Sequence, residues 1–405
     1  MKSLFASAAA VLLAVPSHAS AAPALRVTVA AGDTDRRESI VAFDLPASAR
    51  EWRGLTDATG NLVPFQADDF GRGWFVLQEL KAGTTANFRL GPAATTWPDG
   101  VTVKADGAVL RLAVAGQPVA AYQTTPSEVP PGVPPHYRHG AYLHPVHTPA
   151  GRLVTADYPP DHRHQRGIFF AWTKTEFEGG HPDFWNMGKD KSGVVTAAVE
   201  FDRLDRTWSG PVHGGFASRH KFLDLAGGKP KPALREQWNV RVFRARALGG
   251  TAWLLDMVST QECAGNSLFK LPKYHYGGLG VRGAAEWDPE NVPKFITSNG
   301  DDRKKGDSTK ANWIHFGGAL GGGTAGIAVL IHPDNFRSPQ ALRLNPKNPQ
   351  ICVAPSQDGD WEISPGKPYV SRYRFVIADG EPDKAGLQRL WQDYANPPKV
   401  TVQAE

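Results

Sequence analysis

The sequence predicts an all-β fold, a large antiparallel β-sandwich of the supersandwich kind preceded by a small one, with one C-terminal helix. Three observations carry this expectation. Glycine (42) and proline (33) are abundant among the 405 residues. Short runs rich in β-branched and aromatic residues recur between turn residues, the pattern of strands joined by hairpins. Amphipathic helical periodicity is scarce, and only one segment shows it clearly.

Taken in order, residues 1–21 read as a signal peptide. Lys2 supplies the positive start, Leu4 to Val15 a short apolar run, and Ala19-Ser20-Ala21 or Ser17-His18-Ala19 a small-residue cleavage site. The expected location is the periplasm or the medium. Residues 22–116 contain short strands, the turn Asp57-Ala58-Thr59-Gly60-Asn61 and no histidine, which fits a small β-sandwich domain. Thr124–Pro135 holds five prolines in twelve residues and reads as an extended connector or framing loop. Residues 117–405 are expected to form one large sandwich with long loops. Strand-like runs include Leu25–Ala31, Ile40–Leu45, Val194–Phe201, Gln237–Phe243, Ala252–Val258, Ile327–Ile331 and Tyr369–Ile377. The helix falls at Asp383–Tyr394, where Leu387, Leu390, Trp391 and Tyr394 share one face and Pro397-Pro398 stops the pattern.

Charge narrows the partners. Lys and Arg number 45 against 40 Asp and Glu, a net +5 that becomes +4 once Lys2 leaves with the leader. No basic tract emerges, so nucleic acid is not expected. No stretch after the leader approaches the roughly 18 uncharged apolar residues of a membrane-spanning helix, so membrane insertion is not expected either. The two cysteines, Cys263 and Cys352, lie in separate strand-like runs, and neither has the setting of a nucleophile. They read as buried thiols, with a disulfide open in an oxidising compartment.

The histidines carry the strongest functional signal. Seven of the 13 (His136, His139, His144, His147, His162, His164 and His181) fall within 46 residues. Among them lies Asp161-His162-Arg163-His164-Gln165-Arg166-Gly167. If that segment is extended, His162, His164 and Arg166 share a face. Two imidazoles at that spacing can ligate one divalent metal ion. They can equally serve as proton donor and acceptor, with Arg166 holding an oxyanion or carboxylate.

Further segments supply a setting. Asp183-Phe184-Trp185-Asn186 places an aromatic beside acid and amide groups, a combination that grips sugars, although a Trp anchoring a loop into the core fits equally. Arg235–Phe243 alternates cleanly, and Glu236 falls on the apolar face with Trp238, Val240 and Val242. A carboxylate there is costly unless paired, which suits a general acid/base, a metal ligand or a salt bridge to a buried Arg. Lys273–Arg282 reads as a strand with side chains deleted at Gly277, Gly278 and Gly280, so that His275, Tyr276 and Arg282 frame a pocket floor or a tight packing corner. Ile331-His332-Pro333-Asp334-Asn335-Phe336 and Lys310-Ala311-Asn312-Trp313 are polar-aromatic strand ends that would complete a rim or form simple turns. G-x-S-x-G, Walker, H-E-x-x-H and Cys-x-x-Cys patterns are all missing, which removes serine hydrolases, nucleotide enzymes and zincins from first consideration.

Tyr142-Leu143-His144-Pro145, Asp161–Gly167, Asp183-Phe184-Trp185-Asn186, Tyr276-Gly277-Gly278-Leu279-Gly280 and His332-Pro333-Asp334-Asn335 together resemble a bacterial family labelled "PmoA-like, methane oxygenase", otherwise a domain of unknown function. The resemblance spans residues 118–398. The methane label does not suit the chain, because particulate methane monooxygenase subunits span the membrane many times and this sequence offers no such helix. The resemblance instead implies company with sugar oxidoreductases and carbohydrate-degrading enzymes. The large sandwich also resembles the galactose-mutarotase β-supersandwich, in which histidines and a carboxylate do acid/base work on sugars; this is an analogy of fold alone.

The sequence therefore supports a carbohydrate-active enzyme. His162, His164, Arg166, Glu236 and His275 are its candidate catalytic groups. His144, Asp183, Trp185, Asn186, Tyr276, Arg282 and Asn335 are its candidate substrate contacts. A lyase, hydrolase or epimerase reaction on a glycoside or keto-glycoside fits these groups, with or without one divalent metal. A non-catalytic glycan-binding module is the alternative, and a redox copper protein a third.

Overall fold

The computed structural model describes residues 24–93, 97–125 and 128–405, so the segment expected to be a signal peptide lies outside the described residues. The fold is all-β and every strand pairing is antiparallel. Two eight-stranded sheets face each other. One runs Leu342–Leu344, Gln350–Val353, Gly278–Arg282, Ile168–Ala171, Tyr142–Val146, Gln117–Gln123, Val109–Val114, Val101–Asp106. The other runs Ala197–Trp208, His213–Asp224, Lys231–Arg246, Ala252–Cys263, Tyr369–Asp379, Gly323–Ile331, Trp313–Leu320, Lys294–Thr297. The alternation read in the sequence explains their packing. Trp238, Val240 and Val242 all turn inward and are fully buried against residues such as Tyr122, Phe170 and Trp172 of the facing sheet.

A smaller sandwich pairs a five-stranded with a three-stranded sheet around Val27, Val41, Phe65, Phe75 and Leu90. Strand pairing divides the chain differently from a boundary between 116 and 117. Val101–Asp106 and Val109–Val114 belong to the large sandwich. The last strand, Lys399–Ala404, returns to pair with the first, Leu25–Ala30.

The helix forms at Lys384–Ala395, with the Asp383 side chain accepting from the Gly386 N–H as its N-cap. Its apolar face, Leu387, Leu390, Trp391 and Tyr394, packs with Phe243, Leu254 and Val376 on the outer face of the second sheet and with Ile40 and Trp74 of the small sandwich. Asp393 ties the helix to the small sandwich, accepting from Arg36 Nη1 at 2.9 Å and Ser39 Oγ at 2.6 Å. Cys263 and Cys352 are buried free thiols, one in each large sheet. Among the described residues no helix is long and apolar enough to cross a membrane.

Candidate functional site

A small polar pocket of about 120 Å³ opens at one edge of the first large sheet. It is lined by His162, His164, Trp185, Asn186, His275 and Tyr276, drawn from three separate sequence motifs. Gln165, Arg343, Asn345 and Gln350 complete the lining. The strand Gly278–Arg282 explains the convergence. It pairs with Ile168–Ala171 on one side and with Gln350–Val353 on the other, so the segment before Ile168 and the start of Gln350–Val353 meet at its Arg282 end, while His275 and Tyr276 lead into its Gly278 end.

The histidine segment is not extended. His162 N–H donates to Pro159 carbonyl and Gln165 N–H to His162 carbonyl, two successive turns that break the alternation of a strand. His162 and His164 still meet, with ring centroids 5.5 Å apart, and Gln165 joins them. Arg166 is carried away from them. It is fully buried, its guanidinium 3.5 Å from the Tyr158 ring centroid, with Nη2 donating to the Tyr137 carbonyl and Nε 3.4 Å from Asp157. It supports the loop from behind and does not line the pocket.

His162 is held by a carboxylate. Its Nδ1–H donates to Asp161 Oδ2 at 2.8 Å, which leaves Nε2 as the nitrogen with a lone pair. Asp161 is itself fixed by Asn348 Nδ2 at 2.9 Å and by fully buried Arg282, whose Nη2 lies 3.1 Å from Oδ1. Burial opposes the charge on Asp161, but the bonds from Asn348 and His162 and the charge of Arg282 outweigh it and hold its carboxyl well below the usual range. Arg282 also donates to Gln165 Oε1 at 2.9 Å and pairs with Asp288. It is thus a positioning residue beneath the site and not a substrate contact.

His164 is pushed down to about 3, first by burial and then by its neighbour His162, so it stays neutral at ordinary pH. Burial, followed by the charge of Arg343, also lowers His275. Arg343 is anchored through Nη1 to Asp307 at 2.6 Å. His144 sits outside the lining, hydrogen-bonded through Nδ1 to Thr155 at 3.0 Å and lowered to about 4, first by burial.

Trp185 is both anchor and wall. It is 2% exposed and its ring lies 4.8 Å from Phe169 and 5.5 Å from Tyr276. Gly280 makes this possible, since a Cβ there would come within 2.8 Å of the Trp185 ring and 2.6 Å of Phe169. The glycines of this strand therefore serve ring packing and, at Gly278, close approach of the Val353 carbonyl. Asn186 donates through Nδ2 to Tyr276 Oη at 3.0 Å and to Asp183 at 2.7 Å. Asp183 itself does not line the pocket. Its carboxylate accepts from the N–H groups of Trp185 and Asn186 and folds that turn.

Two expected residues lie elsewhere. Glu236 is buried between the large sheets at 2% exposure, accepting from His220 Nδ1 at 2.8 Å, Ser259 Oγ at 2.6 Å and Gln261 Nε2 at 2.9 Å. Its partner is a histidine, not a buried arginine, and nothing opens it to solvent. Asn335 is buried in a turn, bonded to the Arg372 backbone and Gln340. Among the described residues no three His, Cys, Asp or Glu side chains converge to hold a metal ion, so the two imidazoles lack the further ligands a divalent ion takes from side chains. Of the groups not foreseen, Asp161 was signalled by standing next to His162. Arg343, Asn345 and Gln350 lie in a segment without any compositional mark.

A two-sheet antiparallel β-sandwich with a polar, histidine-lined pocket at its edge is the class these features define. The chain belongs to a family of unknown function (DUF6807), whose sequence profile matches residues 109–392. That match brings no methane-oxygenase relation. No curated protein matches the sequence. Among solved structures, the chain is similar to a glycosyl hydrolase family 38 protein from Enterococcus faecalis (9% identity, TM-score 0.41, covering 94% of this chain and 47% of that one). An α-mannosidase from Enterococcus faecalis V583 gives 9% identity and TM-score 0.41, covering 94% and 46%. A galactose mutarotase related enzyme from Lactobacillus acidophilus gives 8% and 0.23, covering 68% and 97%. The chain spans about half the length of the two Enterococcus proteins. Likenesses this remote assign no activity.

Proposed function

We propose that the chain is an exported carbohydrate-active enzyme performing histidine-based acid/base chemistry on an oxidised (keto) glycoside, by β-elimination or epimerisation. The observation that carries this reading is the convergence of three imidazoles, one of them oriented by Asp161, with Arg343, amide side chains and the Trp185–Tyr276 pair in one small polar pocket.

His162 Nε2 takes the proton from the carbon beside the sugar carbonyl. The electron pair moves onto the carbonyl oxygen, and Arg343 steadies the resulting enolate. In elimination, the enolate expels the alkoxide at the β position, and the proton held by His162 passes to that oxygen, which returns the imidazole to its starting state. In epimerisation, water delivers a proton to the opposite face of the same carbon, and the proton on His162 passes to the resulting hydroxide. Asn186, Asn345 and Gln350 are placed to bond hydroxyls. Two-carboxylate glycoside hydrolysis fits less well, because Glu236 lies in the core and Asp183 is committed to its turn. The chemistry needs no metal, and none enters these steps.

The test is incubation with a panel of keto-glycosides and their unoxidised parents in D2O, following aglycone release and C–H exchange. Exchange or release confined to the keto compounds and abolished by His162→Ala is the expected result. Equal turnover of unoxidised glycosides, or full activity in His162→Ala, would overturn the reading. Sugar binding without exchange or release would make the chain a glycan-binding module.

A further inference from the structure

A second pocket, of about 250 Å³, lies between the small sandwich and the second large sheet. Arg53, Arg206 and Arg241 line it, with Trp208 and His213. The arginines are positioned in an unusual way. The Arg206 guanidinium lies 4.2 Å from the Phe70 ring centroid and 4.5 Å from that of Trp208, and its one ion pair, to exposed Asp69, is 3.5 Å long. Arg241 lies 5.0 Å from the Trp74 ring and 5.8 Å from Trp208, and among the described residues it makes no hydrogen bond or ion pair. Aromatic faces thus hold both forks, and apart from the long Asp69 contact their N–H edges are left unused.

Three acids bear on this charge: Asp68 and Asp69 also line the pocket, and Asp256 lies on the neighbouring strand, where Arg374 takes it at 2.6 Å. Asp68 accepts from Trp74 Nε1 at 2.8 Å and from the N–H groups of Phe70 and Arg72, so both its oxygens are occupied. Two buried donors remain without acceptors. Arg241 Nε is one. His213 Nε2 is the other: Nδ1 accepts from Trp208 Nε1 at 2.9 Å, which places the ring proton on Nε2. Burial, followed by the charge of Arg241, lowers His213 to about 3, so the ring is neutral and that tautomer holds. Unpaired buried donors are costly, and a built pocket that retains two of them calls for an acceptor-rich ligand.

We propose that this pocket binds the carboxylate of a sugar acid, with Arg241 and Arg206 bonding the carboxylate and Trp208 flanking the ring. A carboxylate offers two coplanar oxygens to a guanidinium edge, and a pocket of this volume with an aromatic wall has room for a single sugar residue. The inference is independent of the chemistry proposed at His162, since the two pockets share no residue.

Calorimetric titration of the full chain with D-glucuronate at low salt, beside D-glucose and inorganic sulfate, tests it. D-glucuronate is expected to bind at one site, weakened about tenfold or more in Arg241→Gln and in Arg206→Gln, and to bind Arg343→Gln as it binds the wild type. D-glucose should give no heat, and sulfate should bind more weakly than D-glucuronate. Arg206→Gln, at the outer side of the pocket, decides the matter if Arg241→Gln fails to fold. No binding of D-glucuronate, undiminished binding by folded arginine variants, or sulfate binding as tightly as D-glucuronate would overturn the proposal.

Discussion

The protein contains the same chemical pair twice, in opposite surroundings. In the pocket, His162 Nδ1 bonds Asp161 at 2.8 Å; between the sheets, His220 Nδ1 bonds Glu236 at 2.8 Å. His162 and Asp161 are 38% and 42% exposed, whereas His220 and Glu236 are 0% and 1% exposed. The second ring nitrogen makes the difference. His162 Nε2 belongs to a residue lining an open pocket, while His220 Nε2 is taken up by Tyr122 Oη at 2.8 Å and Ser218 Oγ at 3.0 Å. An acid–histidine pair is reactive only where one end of it is left for something else. Closed at both ends, it is a cross-link between two sheets.

The comparison breaks most readily on function. His162→Ala should lower activity about 10²- to 10⁴-fold, the usual contribution of a positioned acid or base. Because His162 is partly exposed, its melting temperature should stay close to that of the wild type. His220→Ala should do the reverse. A His162 variant that loses fold and activity together would make the pocket pair structural after all.

On stability, Glu236→Ala should give the largest loss, about 3–5 kcal/mol, because three donors are left buried without an acceptor. Denaturant unfolding measures it. Asp161→Ala should cost less, since His162 reaches solvent and buried Arg282 keeps Asp288 and Gln165 as partners. Similar losses at the two sites would mean that burial does not separate the pairs.

Much of this was legible in the residues. Alternation at Trp238, Val240 and Val242 placed Glu236 on an inward face correctly, yet alternation cannot tell whether the face opens on a pocket or on another sheet. That depends on Tyr122 and Trp172, far away in sequence. The grouping of His162 and His164 with Trp185, Asn186, His275 and Tyr276 followed from local composition. Arg166 was misplaced because shared-face counting assumes an extended chain, and two turns intervene. Arg343, Asn345 and Gln350 were invisible because only the pairing of Gln350–Val353 with Gly278–Arg282 brings them to the site.

Acidification sharpens the same contrast through histidines that lack a carboxylate bond. His144 and His315 are lowered to about 4 and His164 and His213 to about 3, with burial the leading cause in each. The unfolded chain takes up these protons near pH 6.5 and the folded chain does not. The stability concerned is therefore complete above pH 6.5 and is lost as pH falls from there towards 4, by roughly 1.4 kcal/mol per pH unit for each histidine fully titrating. Asp161, with its carboxyl held low, adds a further loss below about pH 4. His315→Gln, in the core and away from both pockets, should flatten the slope by one histidine's share. A melting temperature constant from pH 7 to 4.5 would contradict the burial assigned to these rings.

The smallest effect belongs to a third carboxylate that does neither job. Asp183 accepts from the N–H groups of Trp185 and Asn186 and from the Asn186 side chain, and so aims an amide at the pocket without lining it. Asp183→Ala should cost about 1 kcal/mol, the usual worth of such a turn bond, and lower the melting temperature by a few degrees. Its kinetic signature should be a higher KM with kcat little changed, because Asn186 would lose its orientation while His162 would not. Asp183→Asn keeps the acceptor oxygen for the two N–H groups and should recover most of the stability but not the KM, because its amide nitrogen cannot accept from Asn186 Nδ2. A fall in kcat as deep as that of His162→Ala would instead place Asp183 among the proton-transfer groups, and the division between a reacting acid–histidine pair and a supporting scaffold would have to be redrawn around it.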